Sequence, residues 1–318
     1  MRALVEMDTI QVEITNACVR SCANCTRLCG HEPRAYFMDE LAFTRAVESL
    51  DDFPHMIGVM GGEPLLHPQF ERLCEILRAH RGRMSCGLWT TLPPQHVGLA
   101  EVICQTFGNI FINDHSRGDI FHAPVLVSAE EVFPNSADMF LAVEHCWVQE
   151  SWSASINPKG AYFCEVAAAL HLLMDGPDGW PITSDWWKRV PKDYTAQQEW
   201  ACTKCGCALP LTRRSSLEEV DDISPLNAIR LRHVSRKVKR KAYVVSNCQL
   251  ADALEPMAAY KDLEWRQRIA ARYGIHLAIN AKGFNEPSIT PLRAIGDDGQ
   301  ITIFEKLRRQ YGDANTNR

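Results

Sequence analysis

Between residues 10 and 128 the chain repeats one unit, a short apolar run followed by a segment of helical periodicity. A repeat of that kind folds as a parallel sheet packed against helices. The predicted strands are Ile10–Ile14 (IQVEI), Met56–Met60 (MIGVM), Met84–Thr90, Asn109–Asn113 (NIFIN) and Pro124–Ser128 (PVLVS). Between them, Asp39–Leu50, Pro68–His80 and Pro93–Phe107 read as helices, with Asp39 as an N-cap and Pro68 in a first turn. In such sheets the loops after the strands build the functional sites. One connection breaks the rule. The ten residues from Asp114 to Ala123 are too few for a crossover helix. Either a loop folds over the site there, or the fifth run is not a strand. The expected fold class is α/β, a partial (β/α)6 TIM-like barrel over residues 1–142.

Cysteine is the outlier in composition, with 13 residues in 318. Cys18, Cys22, Cys25 and Cys29 crowd one stretch, and Cys202, Cys205 and Cys207 another. Clustered cysteines in a cytosolic chain point to metal or redox chemistry, and the odd total argues against a full disulfide framework. The cytoplasm is the expected location. Met1 to Asp8 has no basic-then-apolar signal, and no apolar run reaches the length that spans a bilayer. A net charge of -5 gives no general attraction to nucleic acid or anionic membrane.

Cys18-x3-Cys22-x2-Cys25 directly follows the first strand. Three thiolates at this spacing can wrap a cubane cluster and leave one iron open, as a catalytic cluster needs. Cys22-x2-Cys25-x3-Cys29 is a rival frame, and a zinc site with His31 as fourth ligand is an alternative. After the second strand comes Met60-Gly61-Gly62-Glu63-Pro64, where glycines permit close backbone approach and Glu63 supplies a carboxylate. Together, Glu13-Ile14-Thr15-Asn16-Ala17-Cys18 with Cys22 and Cys25, and the Gly61-Gly62-Glu63-Pro64 motif, resemble the radical S-adenosylmethionine superfamily. The resemblance implies a 4Fe–4S cluster on Cys18, Cys22 and Cys25 whose open iron chelates S-adenosylmethionine. It also implies that Gly61, Gly62, Glu63 and Pro64 contact the methionyl amino group. Asn24 stands where the family usually places an aromatic residue over the adenine. Asn113 and Ser128, at the ends of the fourth and fifth predicted strands, complete the expected cofactor contacts.

A second unit is expected over residues 143–207. Ser155–Cys164 reads as a hairpin turning at Asn157-Pro158-Lys159-Gly160. Cys146, Cys164, Cys202 and Cys205 could hold a second 4Fe–4S cluster or a four-cysteine zinc, with Cys207 as an alternative to Cys205. This arrangement is similar to the twitch domain, the shortened SPASM domain, and its spacing to that of the superfamily's aminocyclitol dehydrogenases. The resemblance implies an auxiliary cluster. Residues 208–318 form a C-terminal extension of unassigned role, expected to be mostly helical, with Asp252–Tyr273 as a long helix.

The resemblance implies hydrogen abstraction by a 5′-deoxyadenosyl radical from a small polyol, sugar or cyclitol, then oxidation of a secondary alcohol. Glu165, His115 and His122 are candidate bases. Epimerisation is the rival, with Cys248 or Cys207 as hydrogen donor. Peptide modification is the third reading, weakened because the first strand begins near residue 9. The expected partners are a small polar substrate, phosphorylated or nucleotide-linked forms included, and a reductant such as flavodoxin or ferredoxin. The basic run from Arg230 to Lys241 could hold phosphates but carries few aromatics, so nucleic acid is not expected.

Overall fold

The computed structural model describes residues 1–247, except Asp114, residues 116–119, Pro134, His145, Trp152 and Pro210, together with short strands within residues 279–293. Four strands, β1 (Thr9–Thr15), β2 (Met56–Gly61), β3 (Cys86–Thr90) and β4 (Asn109–Asn113), lie parallel and adjacent. They are joined by α1 (Glu40–Glu48), α2 (Phe70–His80) and α3 (Ala100–Thr106). After β5 (Phe121–His122), α4 (Ala129–Val132), α5 (Ser136–Glu144) and α6 (Trp147–Ser151) comes the hairpin of β6 (Ala154–Asn157) and β7 (Gly160–Tyr162). β6 pairs parallel with β1 on the flank opposite β2, so the hairpin continues the main sheet. The rest of the main chain holds α7 (Glu165–Leu173), α8 (Thr195–Ala201), β8 (Arg214–Ser215), β9 (Asp221–Ile223), α9 (Pro225–Leu231), α10 (Arg236–Lys239) and β10 (Tyr243–Val245). Farther on, β11 (Ile279–Asn280) and β12 (Gly283–Phe284) pair with each other, and β13 (Ile289–Arg293) lies antiparallel on β4. The sheet order is β13-β4-β3-β2-β1-β6-β7, a mostly parallel sheet in a mixed α/β architecture.

Strand periodicity separates the two faces of this sheet. Ile10, Val12, Ile14, Ile57, Val59, Leu88 and Ile110 are buried in one core with Phe43, Leu73, Leu77, Ile103 and Phe107 of the helices. The opposite face carries Thr9, Gln11, Trp89, Phe111 and Asn113, which line a cavity. The alternation in β1 therefore marks a core face and a cavity face, and all seven of its residues are buried.

Several sequence expectations shift. Pro124–Ser128 is not a strand of the sheet. Leu126 makes an isolated bridge to Ile223, and the Val125 carbonyl accepts the Gly206 amide at 2.9 Å. The preceding link is too short to carry a strand round to β4, and β13 fills that position instead. Pro68 lies outside α2, which starts at Phe70. Pro93, Pro94 and Gly98 break the third helix, leaving 3-10 turns over Pro94–Leu99 before α3. The hairpin turn forms as expected: Asn157 Oδ1 accepts the Lys159 amide at 2.8 Å, and Gly160 has φ +123°. Residues 208–247 are short strands and helices rather than mostly helical, while Cys248 and Asp252–Tyr273 lie outside the described residues. Among the described residues, no helix is long and apolar enough to cross a membrane.

Asp39 caps α1 by accepting the Ala42 amide at 2.7 Å. Asp39→Ala is expected to lower stability by about 1 kcal/mol in urea denaturation, with an unchanged m-value.

Candidate cofactor site

β1 and β2 end side by side, and their pairing runs on into the cysteine loop. The Gly62 amide donates to the Thr15 carbonyl at 2.8 Å and the Glu63 amide to the Ala17 carbonyl at 2.7 Å. A Cβ on Gly61 would lie 2.1 Å from the Thr15 oxygen, and one on Gly62 2.2 Å from the Ala17 oxygen. The two glycines are thus required by the chain's own backbone. Both also line the cavity, which has a volume of about 330 Å³. Glu63 does not offer its carboxylate there. It is fully buried and accepts the Thr90 hydroxyl at 2.6 Å, the Thr91 amide and hydroxyl at 2.7 Å, and the Leu65 amide at 3.2 Å. Glu63 fastens the end of β2 to the end of β3, and Pro64 opens a buried turn.

Cys18, Cys22, Cys25 and Cys29 all contribute to the cavity wall, so the structure brings both cysteine frames to one place. Hydrogen bonds with the Cys18 and Cys25 thiols, aided by burial, raise Cys29 well above an ordinary thiol. The Cys29 hydrogen bond pulls Cys25 down to about 5. Burial pushes Cys22 up to about 12. The hydrogen bond between Cys25 and Cys29 thus favours ionisation of Cys25 over Cys29. Among the described residues, no three His, Cys, Asp or Glu side chains close on a point suited to one metal ion. A cubane is gripped at its corners, so its ligands line a cavity instead of meeting at a point. His31 is not available to complete a zinc site, because Nδ1 bonds Ser235 Oγ and Nε2 bonds Asp221, both at 2.7 Å.

Asn24 does not line the cavity. Its side-chain amide donates to Asp222 at 2.8 Å and its side-chain carbonyl accepts the Asp222 amide at 2.8 Å. Ser128 also lies elsewhere, donating to the Thr203 carbonyl at 2.9 Å. Asn113, His115 and His122 do line the cavity. The two imidazoles lie edge to face, 5.3 Å between centroids. His122 Nδ1 sits 2.7 Å from the Ala23 carbonyl, which can only accept, so Nδ1 carries a proton and donates there. Glu165 lines the cavity too, but its carboxylate is bound by the Arg27 guanidinium and by the Ser153 hydroxyl at 3.1 Å.

Sequence reasoning missed Arg27 and the aromatic wall. Arg27 reaches Glu165 and lies 3.9 Å from Glu13. A cation between Cys25 and Cys29 was the available signal. Trp89 and Phe111 stack at 4.1 Å and 15° on the cavity wall, and the i, i+2 spacing of Gly87 and Trp89 marks that face.

Cys146, Cys164, Cys202, Cys205 and Cys207 all line a second cavity of about 30 Å³, and none of its described lining residues is basic. Burial raises Cys146 and Cys202 and pushes Cys164 up to about 12. Cys207 hydrogen-bonds Cys205 and lowers it. The basic run of the C-terminal segment is partly spent within the fold: Arg230 pairs with Glu130 at 2.6 Å, and Lys237 is buried.

No family model and no curated protein matches the chain. Among solved structures it is similar to BtrN in complex with AdoMet and 2-DOIA, with a TM-score of 0.40 and 16% identity over 62% of this chain and 88% of that one. It is also similar to selenomethionine BtrN in an open conformation, with a TM-score of 0.40 and 17% identity over 64% and 91% of the two chains.

Burial pushes Glu13 up to about 7, against the pull of Arg27. A raised folded pKa means that Glu13 favours the native state below pH 4.5 and that this contribution is lost as pH rises through 7. In cluster-free protein, Glu13→Gln is therefore expected to be more stable than wild type at pH 8, by roughly 3 kcal/mol. Denaturation at stepped pH should show the advantage fading toward pH 4.5.

Proposed function

We propose that this chain is a radical S-adenosylmethionine enzyme that oxidises a secondary alcohol of a small polyol, sugar or cyclitol. The observation that carries the reading is the shared cavity of Cys18, Cys22 and Cys25 with Gly61 and Gly62, at the adjoining ends of β1 and β2. The donor set fits a 4Fe–4S cluster: three soft thiols, one already favoured as thiolate, beside room for a ligand. Bound there, such a cluster supplies the electron that cleaves S-adenosylmethionine to methionine and a 5′-deoxyadenosyl radical.

The chain's own residues divide the remaining tasks. The stacked Trp89 and Phe111 offer a flat wall suited to a nucleobase. Gln11 and Asn113 present side-chain amides to hydroxyl groups. His122, whose Nδ1 is tied to the Ala23 carbonyl, is a better base candidate than Glu165, which is held by Arg27. The five cysteines around the second cavity support an auxiliary cluster in a twitch-type unit behind a partial barrel. Burial in this apolar pocket opposes ionisation of the thiols, so a bound cation would be needed to hold them as thiolates. Such a cluster would accept the electron that completes the two-electron oxidation.

Cys18→Ala is expected to abolish 5′-deoxyadenosine formation after anaerobic reconstitution. Cys164→Ala should lose about half the iron and acid-labile sulfide, yet keep cleavage of S-adenosylmethionine. Full activity in the Cys18 variant would sink the assignment.

A further inference from the structure

The stretch between Cys22 and Cys25 is held from behind by residues far along the chain. The Cys22 carbonyl accepts Lys237 Nζ at 2.8 Å, and the Ala23 amide donates to the Ser216 carbonyl at 3.1 Å. The Ala23 carbonyl takes His122 Nδ1, and the Asn24 amide donates to Asp221 Oδ1 at 2.5 Å. Asp221 also accepts Lys237 Nζ at 3.0 Å and His31 Nε2 at 2.7 Å. Ser235 Oγ accepts the Val238 amide at 3.0 Å and lies 2.7 Å from His31 Nδ1. At the centre of the network is the ion pair itself, with Lys237 3% and Asp221 1% exposed.

A buried ion pair costs desolvation that an apolar pair would not. Both of its charges here touch the cysteine loop, the ammonium at the Cys22 carbonyl and the carboxylate at the Asn24 amide. A cluster gains negative charge on reduction, so a nearby cation favours the reduced form and a nearby anion opposes it. Both charges are buried, so solvent screens them little.

We propose that the Lys237–Asp221 pair sets the reduction potential of the cluster on Cys18, Cys22 and Cys25, with residues 216–238 acting as its positioning element. This rests on the reading that such a cluster binds there. The test is a potentiometric titration of the reconstituted full chain, followed by electron paramagnetic resonance, with the second cluster as internal reference. Lys237→Met should move the first cluster to more negative potential and Asp221→Asn to more positive, leaving the second cluster unmoved. Lys237→Arg should restore the wild-type value. In Lys237→Met, 5′-deoxyadenosine formation should fall with a weak reductant and recover with a stronger one. A purely structural network would shift both variants the same way or not at all, and either result overturns the proposal. Should Lys237→Met fail to hold a cluster, Asp221→Asn decides alone, and no positive shift overturns it. A wild-type chain whose cluster spectrum ignores S-adenosylmethionine would overturn the enzyme reading itself.

Discussion

The buried pair of Arg27 and Glu165 joins the two cysteine groups. Arg27 lies two residues after Cys25, and Glu165 directly follows Cys164. The guanidinium binds the Glu165 carboxylate and also donates to its main-chain carbonyl at 3.0 Å. Both side chains are at most 5% exposed, so removing either partner would strand a charge, at a cost of about 3–5 kcal/mol. β6 reinforces the tie by pairing with β1. The loop after β1 and the hairpin before α7 are thus fixed to each other through main chain and side chain alike. Any exchange of electrons between the two groups would use a separation set by this scaffold.

The second constraint is the cavity face of the sheet, which must be hollow. Parallel sheets covered on both faces usually carry apolar side chains throughout. Here Gly58 and Gly87 pair across β2 and β3. A Cβ on Gly58 would lie 2.2 Å from Gln11 Oε1, and one on Gly87 2.8 Å from Trp89. The missing side chains let Gln11 and Trp89 lie across the sheet instead of standing off it. Space above is left for a ligand, and the walls are polar on β1 and aromatic on β3 and β4.

What was legible in the sequence was local. The first four strands, the Asp39 cap and the Asn157–Gly160 turn each depend on residues a few positions apart, and all appear in the structure. The cysteine groups were legible too, because thiols at chelating spacing have few other uses in a chain of this kind. Long-range pairings were not. Nothing around Asn24 shows that Asp222, nearly 200 residues later, would take its side chain. The carboxylate of Glu63 read as a ligand contact, yet two threonines at the end of β3 claim it. Pro124–Ser128 has the composition of a buried strand and is buried, but against residues 206–224. Burial alone does not say which element does the covering.

The two cavities share one electrostatic device and differ in access. In each, one thiol is lowered by a hydrogen bond from a neighbouring cysteine, Cys25 by Cys29 and Cys205 by Cys207. The first cavity is about 330 Å³ and lined partly by polar groups, while the second is about 30 Å³ and almost wholly apolar. The room beside the first thiols would, on the proposed function, serve a ligand, while the tight apolar wrapping at the second would exclude one and lower the cost of reorganisation when charge changes. On the proposed function, that contrast separates the place where bonds break from the place where an electron is held.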